Sequence, residues 1–453
     1  MSSYKPYSDY HDFGIDWLGM LPSHWEVLPT KRVFRLVAEP APVNNTFELL
    51  SVYTDIGVKP RKELEQKGNK ASTTDGYWLV KKRDIVVNKL LAWMGAVGYS
   101  EYDGVTSPAY DILRPIKNIN SRFYHYLFRS DIAKNEFKRW SRGIMEMRLR
   151  LYFDELGRIH IPLPPPSELD NICEFLDHET AKIGTLIEKQ QKLIKLLKEK
   201  RQAVISQAVT KGLNPDAPMK DSGVEWLGEV PEHWDVARVK YLATTISKGT
   251  TPSTIGADFI SEGIRFLKAE NIGKGLWVRP EPEFYISEIV DEKISRSRLI
   301  ENDVLVIIAG ATTGMASIIQ KNLLPANTNQ AVSFIRPTKK AYAKWLVFWL
   351  STEFAQRVIW MGAVQAAQPN LSMEELGNIP IALPNEQEIE DIIASIESRI
   401  DKLDVLIAEG VKAIRLMEER RGALISAAVT GKIDVRNWQS ADNKSTEEVE
   451  VTA

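Results

Sequence analysis

The chain has 453 residues, which is enough for two or three domains with separate cores. Its composition, 44% hydrophobic and 26% charged, is that of an ordinary globular protein. The net charge of −2 does not indicate a polyanionic partner, and it does not exclude one, because binding depends on where the charge sits.

The sequence carries no visible secretory or membrane signal. The first residues lack the basic and then apolar pattern of a signal peptide, and an apolar run such as Trp345–Leu350 is far too short to span a bilayer. The single cysteine, Cys173, excludes an internal disulfide framework and fits a reducing compartment. We therefore expect a cytoplasmic protein.

Two sequence frames occur twice along the chain. Residues 17–25, which read Trp-Leu-Gly, then a proline, then His-Trp, return at 226–234. Residues 151–210 repeat as 371–430 without a gap. Between these anchors the two halves have diverged almost completely. Similar frames around dissimilar contents predict a scaffold that presents two different modules.

The modules themselves, residues 26–160 and 235–380, lack helical periodicity over most of their length. Both contain short β-branched runs bounded by turn residues, followed by aromatic-rich helical segments at 122–140 and 341–361. We interpret each module as a curved sheet with a few helices. The aromatic residues are better explained as core than as base-stacking platforms.

A long helix is predicted after each module. Asn385 with Glu388 forms a capping-box pattern, and Ser167 with Asp170 forms a weaker one. From each start a 3-4 spacing of mainly apolar residues holds for six turns or more. In the first copy the spacing visits Leu169, Ile172, Leu176, Glu179, Ile183, Leu186, Gln190, Leu193, Leu197, Lys200, Val204 and Gln207. In the second it visits Ile389, Ile392, Ile396, Arg399, Leu403, Leu406, Gly410, Ala413, Met417, Arg420, Leu424 and Ala427.

A 3-4 spacing places apolar residues in a stripe along one face of a helix. Two helices with such stripes in one chain most simply pack against each other. About 45 helical residues span roughly 65 Å, so a parallel pair would force both modules to cross back over that length. An antiparallel pair needs only short connections and gives the repeat a pseudo-twofold axis. The predicted fold class is α+β, with two mixed α/β modules held apart by two long antiparallel coiled-coil helices. The alternative is two amphipathic helices in separate cores.

No catalytic or metal site is predicted. Gly310–Gly314 is followed by methionine and does not complete a phosphate-binding loop, and the histidines and the cysteine lack metal-ligand spacing. His24 and His233 fit packing roles in the repeated anchors. Asp291-Glu292-Lys293 resembles the end of a nuclease motif without its upstream acid, so a solvated loop is the better interpretation.

Local clusters in both modules could contact DNA. Basic residues neutralise phosphates and arginine grips guanine edges, whereas amides suit adenine edges and small hydroxyls suit phosphates. The alternative for each residue is a solvated surface group. The candidates in the first module are Lys81, Lys82, Arg83, Asn88, Lys89, Arg142, Arg148 and Arg150. Those in the second are Lys248, Thr250, Thr251, Lys268, Asn271, Asn327, Asn329, Gln330, Gln365, Gln368 and Asn370.

The ordered set of anchors, closing motifs and long helices resembles the specificity (S) subunit of Type I restriction–modification systems over nearly the whole chain. The closing motifs are Ile161–Pro164 and Ile381–Pro384, and the helix ends carry Lys200–Thr210 and Arg420–Thr430. No single motif is decisive, but the set occurring twice in order is highly specific.

The resemblance implies a division into five parts. Residues 1–165 would be the first target recognition domain, 166–212 the first spacer helix, 213–384 the second recognition domain and 385–432 the second spacer helix. A disordered acidic tail would occupy 433–453.

The resemblance also implies the partners. Each domain would read one half of an asymmetric, bipartite site in double-stranded DNA, and the helices would fix the unread spacer. Two methyltransferase (M) subunits holding S-adenosylmethionine would dock on the helices near Arg201, Ser206, Arg421 and Ser426. Restriction (R) subunits using ATP and Mg would complete an adenine-N6 methyltransferase and ATP-dependent deoxyribonuclease. The chain itself would bind no cofactor and catalyse nothing.

Two alternatives from other classes stay open. One is a self-contained DNA endonuclease using the loop of Asp291 and Lys293, and the other is a coiled-coil adaptor for proteins that does not bind DNA. Neither explains two diverged modules within one repeated frame as simply.

Overall fold

The computed structural model describes residues 4–63, 74–144, 149–363 and 370–439. Its contacts divide the chain into two compact units: Met1–Gln191 with Lys412–Ala453, and Lys192–Val411. Each unit therefore holds one module together with a part of each long helix. Within the described residues, no helix is long and apolar enough to cross a membrane.

A four-stranded antiparallel sheet in the order β4-β11-β8-β9 forms the centre of the first unit. Its strands alternate between two apolar cores: Ile85 and Val87 of β8 face the larger core, and Val86 faces a smaller one. The strands of this unit are β1 (Tyr10–Asp12), β2 (Met20–Pro22), β3 (Glu26–Pro29), β4 (Phe34–Val37), β5 (Leu50–Tyr53), β6 (Gly57–Pro60), β7 (Trp78–Val80), β8 (Ile85–Asn88), β9 (Val97–Tyr99), β10 (Gly104–Thr106), β11 (Tyr110–Pro115) and β12 (His160–Leu163).

Helices α1 (Arg122–Arg129), α2 (Asp131–Trp140) and α3 (Phe153–Leu156) belong to the same module. The rings of Phe123, Tyr124 and Phe128 are fully buried in the larger core. The aromatic residues of this segment are thus core, as the sequence indicates.

The first long helix, α4 (Pro166–Lys211), is 46 residues long and begins with proline at its first position. The buried carboxylate of Glu168 fixes this end: Trp25 Nε1 donates to Glu168 Oε1 at 2.9 Å, and His24 Nε2 lies 2.8 Å from Glu168 Oε2. Tyr7 donates its hydroxyl to the same carboxylate. The expected Ser167–Asp170 cap is therefore wrong, because the helix already begins at Pro166.

The second unit repeats the central sheet with the order β16-β22-β19-β20. A further sheet, β18-β17-β21, pairs β17 and β21 in parallel. The strands are β13 (Met219–Asp221), β14 (Glu229–Pro231), β15 (Asp235–Arg238), β16 (Ala243–Lys248), β17 (Ile264–Leu267), β18 (Tyr285–Ile286), β19 (Val304–Ile307), β20 (Ala316–Ile318), β21 (Ala326–Thr328), β22 (Val332–Pro337) and β23 (Pro380–Leu383). The short helices are α5 (Glu288–Lys293), α6 (Lys340–Leu350), α7 (Glu353–Ala363) and α8 (Met373–Asn378).

The second long helix, α9 (Glu386–Val429), has 44 residues and repeats the same arrangement at its start. Asn385 Oδ1 accepts from Glu388 N at 3.0 Å, which is the cap that the sequence predicts. The Glu388 carboxylate accepts from Trp234 Nε1 at 3.0 Å and lies 3.0 Å from His233 Nε2. The repeated His-Trp anchor is thus a hydrogen-bonded clamp on a helix start as well as a packing element.

Segments of the two long helices pack against each other within each unit. In the first, Leu169 and Ile172 of α4 share a core with Leu424 and Ala428 of α9. In the second, Ile205 of α4 shares a core with Ile389–Ile400 of α9. There Arg201 pairs with Asp404, whereas Gly212, the residue just after the end of α4, lies beside the earlier residue Glu388. The segments therefore run antiparallel, and the predicted α+β class with two mixed modules is confirmed.

The detailed register of the stripe differs from the prediction. Leu186, Leu193 and Leu406 are about half exposed, at 47%, 47% and 53%. Their neighbours Ile187 and Ile194 are buried instead. An α-helix has 3.6 residues per turn, so a strict 3.5-residue spacing drifts away from the buried face unless the helices supercoil to follow it.

The C-terminal segment begins differently from the expected tail. Val435 is buried in the first unit, and the ring of Trp438 lies 5.5 Å from that of Phe175. Residues 433–438 thus pack onto the start of α4, because their apolar side chains complete its core. The acidic part, residues 440–453, lies outside the described residues.

The clamp predicts a matched pair of stability losses. Trp25→Phe or Trp234→Phe removes one indole donor from a carboxylate, and each should lower the free energy of unfolding by about 1.5–3 kcal/mol. Urea unfolding followed by circular dichroism measures the loss. The exposed Trp226→Phe serves as the control, and equal midpoints for all three variants would contradict the clamp.

Candidate nucleic-acid interface

In each central sheet, an eight-residue hairpin loop connects the third strand to the fourth. In the first module this loop is residues 89–96, and in the second it is 308–315. Asn88 N donates to Ala96 O at 2.9 Å, and Ile307 N donates to Met315 O at the same distance. Both loops place a glycine in the left-handed region, Gly95 and Gly314, with φ of 94° and 93°. The two loops are therefore structurally equivalent.

The segment before α3 or α8 lies beside each hairpin loop. Leu151 N donates to Lys89 O at 2.9 Å, and Leu371 N donates to Ile308 O at 2.8 Å. We call these regions the loop edges: residues 89–96 with Arg142 and Arg150 in the first module, and 308–315 with Asn370 in the second. Arg142 and Arg150 exchange both backbone hydrogen bonds at 2.9 Å, which places the two residues directly opposite each other.

The candidates at the first loop edge are not equally available. Arg150 is exposed and has no carboxylate partner among the described residues, whereas Arg142 pairs with Glu155 at 2.6 Å. Lys89 Nζ is tied to Asp111 at 3.3 Å and to Pro108 O at 3.2 Å. Burial raises the pKa of Asp111, and Lys89 opposes that rise. Asn88 is buried and accepts from Leu90 N.

Lys81, Lys82 and Arg83 lie at the opposite end of β8 from Asn88. They line a shallow cleft of about 200 Å³ with Lys117. Arg83 has a φ of 77° and donates from Nη2 to Ile119 O at 2.9 Å. A four-residue strand spans about 13 Å, so the structure separates these candidates from the loop edge.

The second loop edge gathers small polar side chains. Lys248 ends β16 opposite Ser333, and Thr250 N donates to Thr328 O at 3.1 Å. The Thr251 hydroxyl donates to Gln330 Oε1. A Cβ at Gly249 would lie 1.9 Å from Thr328 O, so only glycine allows this close approach.

Three more candidates of this module lie nearby. Lys268 directly follows β17, in which Leu267 pairs with Thr328 of β21. The Nζ atom of Lys268 lies 3.4 Å from the centre of the Phe284 ring. Asn329 Oδ1 is buried without a hydrogen-bond partner among the described residues. Asn370 forms a bridge with Ala309 of the hairpin loop.

Asn271 and Asn327 are corrections to the candidate set. Asn327 is fully buried and donates to Asp291 Oδ1 at 3.0 Å, while its Oδ1 accepts from Thr328 N. Asn271 donates to two backbone carbonyls and accepts from Lys268 N. Side chains whose polar atoms are already used inside a core cannot read a base edge.

The acidic loop of the endonuclease alternative is also engaged internally. Asp291 is buried on α5, and Arg298 Nε donates to its Oδ2 at 2.6 Å. Together with Asn327, this leaves the carboxylate committed to protein partners. No group of three metal-ligating side chains occurs among the described residues.

The sequence did not point to Lys274, which lies beside the second hairpin loop. Ile318 N donates to Leu276 O at 2.8 Å, and Val278 N donates to Ile318 O at 3.0 Å, so residues 276–278 run parallel to β20 just after Lys274. A cleft of about 580 Å³ separates Lys274 from Thr312. The Gly-Lys-Gly sequence around it was the available signal.

The remaining predicted residues fall into two groups. Arg201 donates to both carboxylate oxygens of Asp404, at 2.8 and 3.2 Å, and Arg421 is exposed. Ser206 and Ser426 are half-buried. The carbonyl of each accepts a hydrogen bond at 2.7 Å from the hydroxyl of the threonine four residues later, Thr210 or Thr430. Arg148, Gln365 and Gln368 lie outside the described residues.

Helix α1 braces the first loop edge. Arg129 donates to Gly95 O at 3.0 Å, Val97 O at 3.3 Å and Thr54 O at 2.9 Å. One turn earlier, His125 Nδ1 lies 3.4 Å from Tyr99 N. Burial lowers the pKa of His125 to about 3, and Arg129 acts in the same direction.

This depressed pKa predicts acid sensitivity. His125 is neutral in the folded chain but takes up a proton below about pH 6.5 when unfolded, so its stabilisation is present above pH 6.5. The free energy of unfolding should fall by about 1.4 kcal/mol per pH unit between pH 6.5 and 3. His125→Gln should flatten that slope in urea titrations, whereas exposed His11→Gln should not. Identical slopes in all three proteins would refute the assignment.

The comparisons with known proteins place this geometry in a family. The family model for the Type I restriction modification DNA specificity domain matches residues 22–197 and again 231–414. The specificity subunit of the EcoBI Type I restriction enzyme of Escherichia coli is 24% identical over 371 residues, covering 81% of this chain and 76% of that protein. The MjaVIII specificity subunit of Methanocaldococcus jannaschii is 24% identical over 373 residues, covering 79% and 82%.

Two solved structures share the fold. A chain from a structure of type I R-M complex assembly and conformational transition aligns with a TM-score of 0.70 at 16% identity, covering 91% of this chain and 99% of that one. The HsdS subunit of Thermoanaerobacter tengcongensis aligns with a TM-score of 0.51 at 14% identity, covering 91% and 98%. At such identities the likeness concerns the fold alone. With two family-model matches that together span most of its length, the chain belongs to the Type I restriction–modification DNA specificity family.

Proposed function

We propose that the two modules read the two different halves of an asymmetric, bipartite site in double-stranded DNA. The observation that carries this proposal is the contrast at equivalent backbone positions of the loop edges. Arg150 stands in the first module where Asn370 stands in the second, and the residue after each donates its N–H to the first residue of the equivalent hairpin loop. A similar backbone frame with different side chains is what two readers of different sequences require.

The side chains at the two loop edges suit different DNA bases. An exposed arginine such as Arg150 can donate two parallel hydrogen bonds to guanine O6 and N7. Asn370 can bond adenine N6 and N7, and Thr250 can donate to a phosphate oxygen. Thr251 would first have to give up its hydrogen bond to Gln330 Oε1. Arg142, with its carboxylate partner Glu155, would have to exchange that partner for DNA. The cluster of Lys81, Lys82 and Arg83 would contact the phosphate backbone at a separate place.

The two long helices are proposed to set the spacer between the half-sites. Helices of 46 and 44 residues correspond to roughly 65–70 Å of rigid length. A protein that reads two half-sites from one face of a duplex needs them about one helical turn apart, or a multiple of it. Paired helices of fixed length supply such a constraint without contacting the spacer bases.

The helices are also the proposed docking place for two methyltransferase subunits, through which restriction subunits join. Support comes from large apolar side chains that are exposed in the middle of these helices. Monomeric proteins rarely expose several such side chains close together. Arg421 and the half-buried Ser206 and Ser426 stay candidates for this contact, whereas Arg201 is engaged by Asp404. The exposed apolar residues are Leu186, Leu193, Leu196, Val405, Leu406, Val411 and Leu416.

In this proposal the chain supplies specificity and no chemistry. S-adenosylmethionine would be held by the methyltransferase subunits, and ATP and Mg by the restriction subunits. The assembled cytoplasmic complex would methylate adenine at N6 and cleave DNA in an ATP-dependent manner. The endonuclease alternative is disfavoured by the commitment of Asp291 to Arg298 and Asn327. The adaptor alternative predicts that the complex with M subunits shows no salt-dependent duplex binding.

The spacer role has a direct test. Four residues inserted after Gln190, with four matching residues after Gly410, should lengthen the paired helices by about 6 Å, or roughly two base pairs. Sequencing of methylated adenines in cells carrying the chain and its M subunit should show both half-sites unchanged and a longer spacer. The same four residues placed after Gly212 are the control. An unchanged spacer with continued methylation would contradict the role.

The reading role predicts losses confined to one half-site. Arg150→Ala should relax specificity in one half-site and Asn370→Ala in the other, each by about 1–3 kcal/mol of base discrimination. Methylation rates on duplexes with single base changes measure the loss. Arg139→Ala, which removes a partner of Glu136, is the matched control. Relaxation in the same half-site by both variants would contradict two separate readers.

A further inference from the structure

The hairpin loop of the first module presents large apolar side chains to solvent. Leu90, Leu91 and Met94 are 42%, 39% and 47% exposed, although they lie within five residues of each other. Between them Ala92 is fully buried and holds the loop to the core. We call Leu90, Leu91 and Met94 the apolar tip.

The backbone beneath the apolar tip is fixed by many hydrogen bonds. Leu90 N donates to Asn88 Oδ1 at 3.1 Å, and Met94 N donates to Leu91 O at 2.9 Å. Trp93 Nε1 donates to Leu90 O at 3.2 Å. Arg129 holds Gly95 and Val97 through their carbonyls. The tip is therefore preorganised, and the loop has no need to fold on binding.

Several cations lie near the loop that carries the apolar tip. Arg150 and Arg142 are joined to the loop through the hydrogen bond from Leu151 N to Lys89 O. Lys138 Nζ lies 5.3 Å from the centre of the ring of Trp93, which belongs to the same loop. Acidic groups are also present, but Asp111 and Glu155 are each paired with a cation. Apolar side chains next to basic groups fit a partner that offers both negative charge and apolar surface. DNA offers both, through its phosphates and its stacked bases.

The equivalent loop of the second module has the same length and backbone but a different surface. At the positions of Leu90 and Leu91 it carries Ala309 and Gly310, and at the position of Met94 it carries Thr313. None of these can reach between bases. The size of the tip is therefore a property of one module and is not required by the fold.

We propose that the apolar tip inserts between base pairs of the half-site read by the first module and kinks the duplex there, while the second module reads its half-site without insertion. This inference rests on the proposed DNA-reading function. Leucine and methionine wedges unstack a base step and bend DNA by tens of degrees, which adds specificity through the deformability of the step. Steps that unstack easily, such as TA or CA, are then favoured at a position that no hydrogen bond reads.

The test uses the full chain assembled with its methyltransferase partner, bound to duplexes that carry the site which this complex methylates. Circular-permutation electrophoresis locates DNA bends, and permanganate oxidation detects unstacked thymines. The variant Leu90→Ala/Leu91→Ala/Met94→Thr replaces the apolar tip with small side chains similar to those of the second loop. Ile116→Ala, at an exposed apolar position at the far end of β11, is the matched control.

The expected result is a kink in one half-site that the triple variant loses and Ile116→Ala keeps, with affinity reduced about tenfold or more. A wild-type complex that binds its site without a kink, or a triple variant that keeps the kink, would overturn insertion while leaving DNA reading intact. A triple variant that no longer assembles with the methyltransferase would show that the tip docks protein instead. Absence of duplex binding by the wild-type complex would overturn the proposed function itself.

Discussion

The structure depends on a carboxylate at the start of each long helix. Glu168 and Glu388 each accept a hydrogen bond from the indole of the module's anchor, Trp25 or Trp234, and His24 makes the matching contact beside it. The Glu168 carboxylate is buried and would be costly without partners, so this helix start and its anchor stabilise each other strongly. Glu388 is partly exposed, so the same contacts contribute less there. These hydrogen bonds connect the start of each module to the long helix that follows the module, so that each module and the start of its helix form one structural unit.

With the frame fixed in this way, the loop edges are free to vary. The hairpin loops keep their length, their left-handed glycine and their backbone hydrogen bonds, while their side chains change from leucine and methionine to glycine and threonine. Stability is supplied by strands buried on both faces, such as β8 and β19, so substitutions at the exposed positions of the loop edges leave the cores intact. A scaffold of this type separates folding from recognition.

The sequence predicted the elements that depend on local periodicity and repetition. The two long helices, the Asn385 cap and the frame around Trp25 and Trp234 follow from spacing and from the internal repeat. The register in the middle of the helices could not be predicted, because it depends on how far the helices supercoil, and Leu186 consequently faces solvent.

The candidate site was harder to predict than the fold. Asn327 and Asn370 look alike in sequence, yet the first is consumed by a buried carboxylate and the second lies at a loop edge. Polar residues within short strands gain their role from tertiary partners, which no local pattern encodes. The exposure of Leu90 and Met94 was likewise invisible, because apolar residues next to a β-branched strand normally indicate core.

The central claim is that a repeated frame carries two independent readers, and module duplication tests it most directly. In a chain whose residues 235–380 are replaced by a second copy of 26–160, the frame offers the same reader twice. Sequencing of methylated adenines should then reveal a symmetric site made of two inverted copies of one half-site. Methylation of the original asymmetric site by this chain would contradict the account.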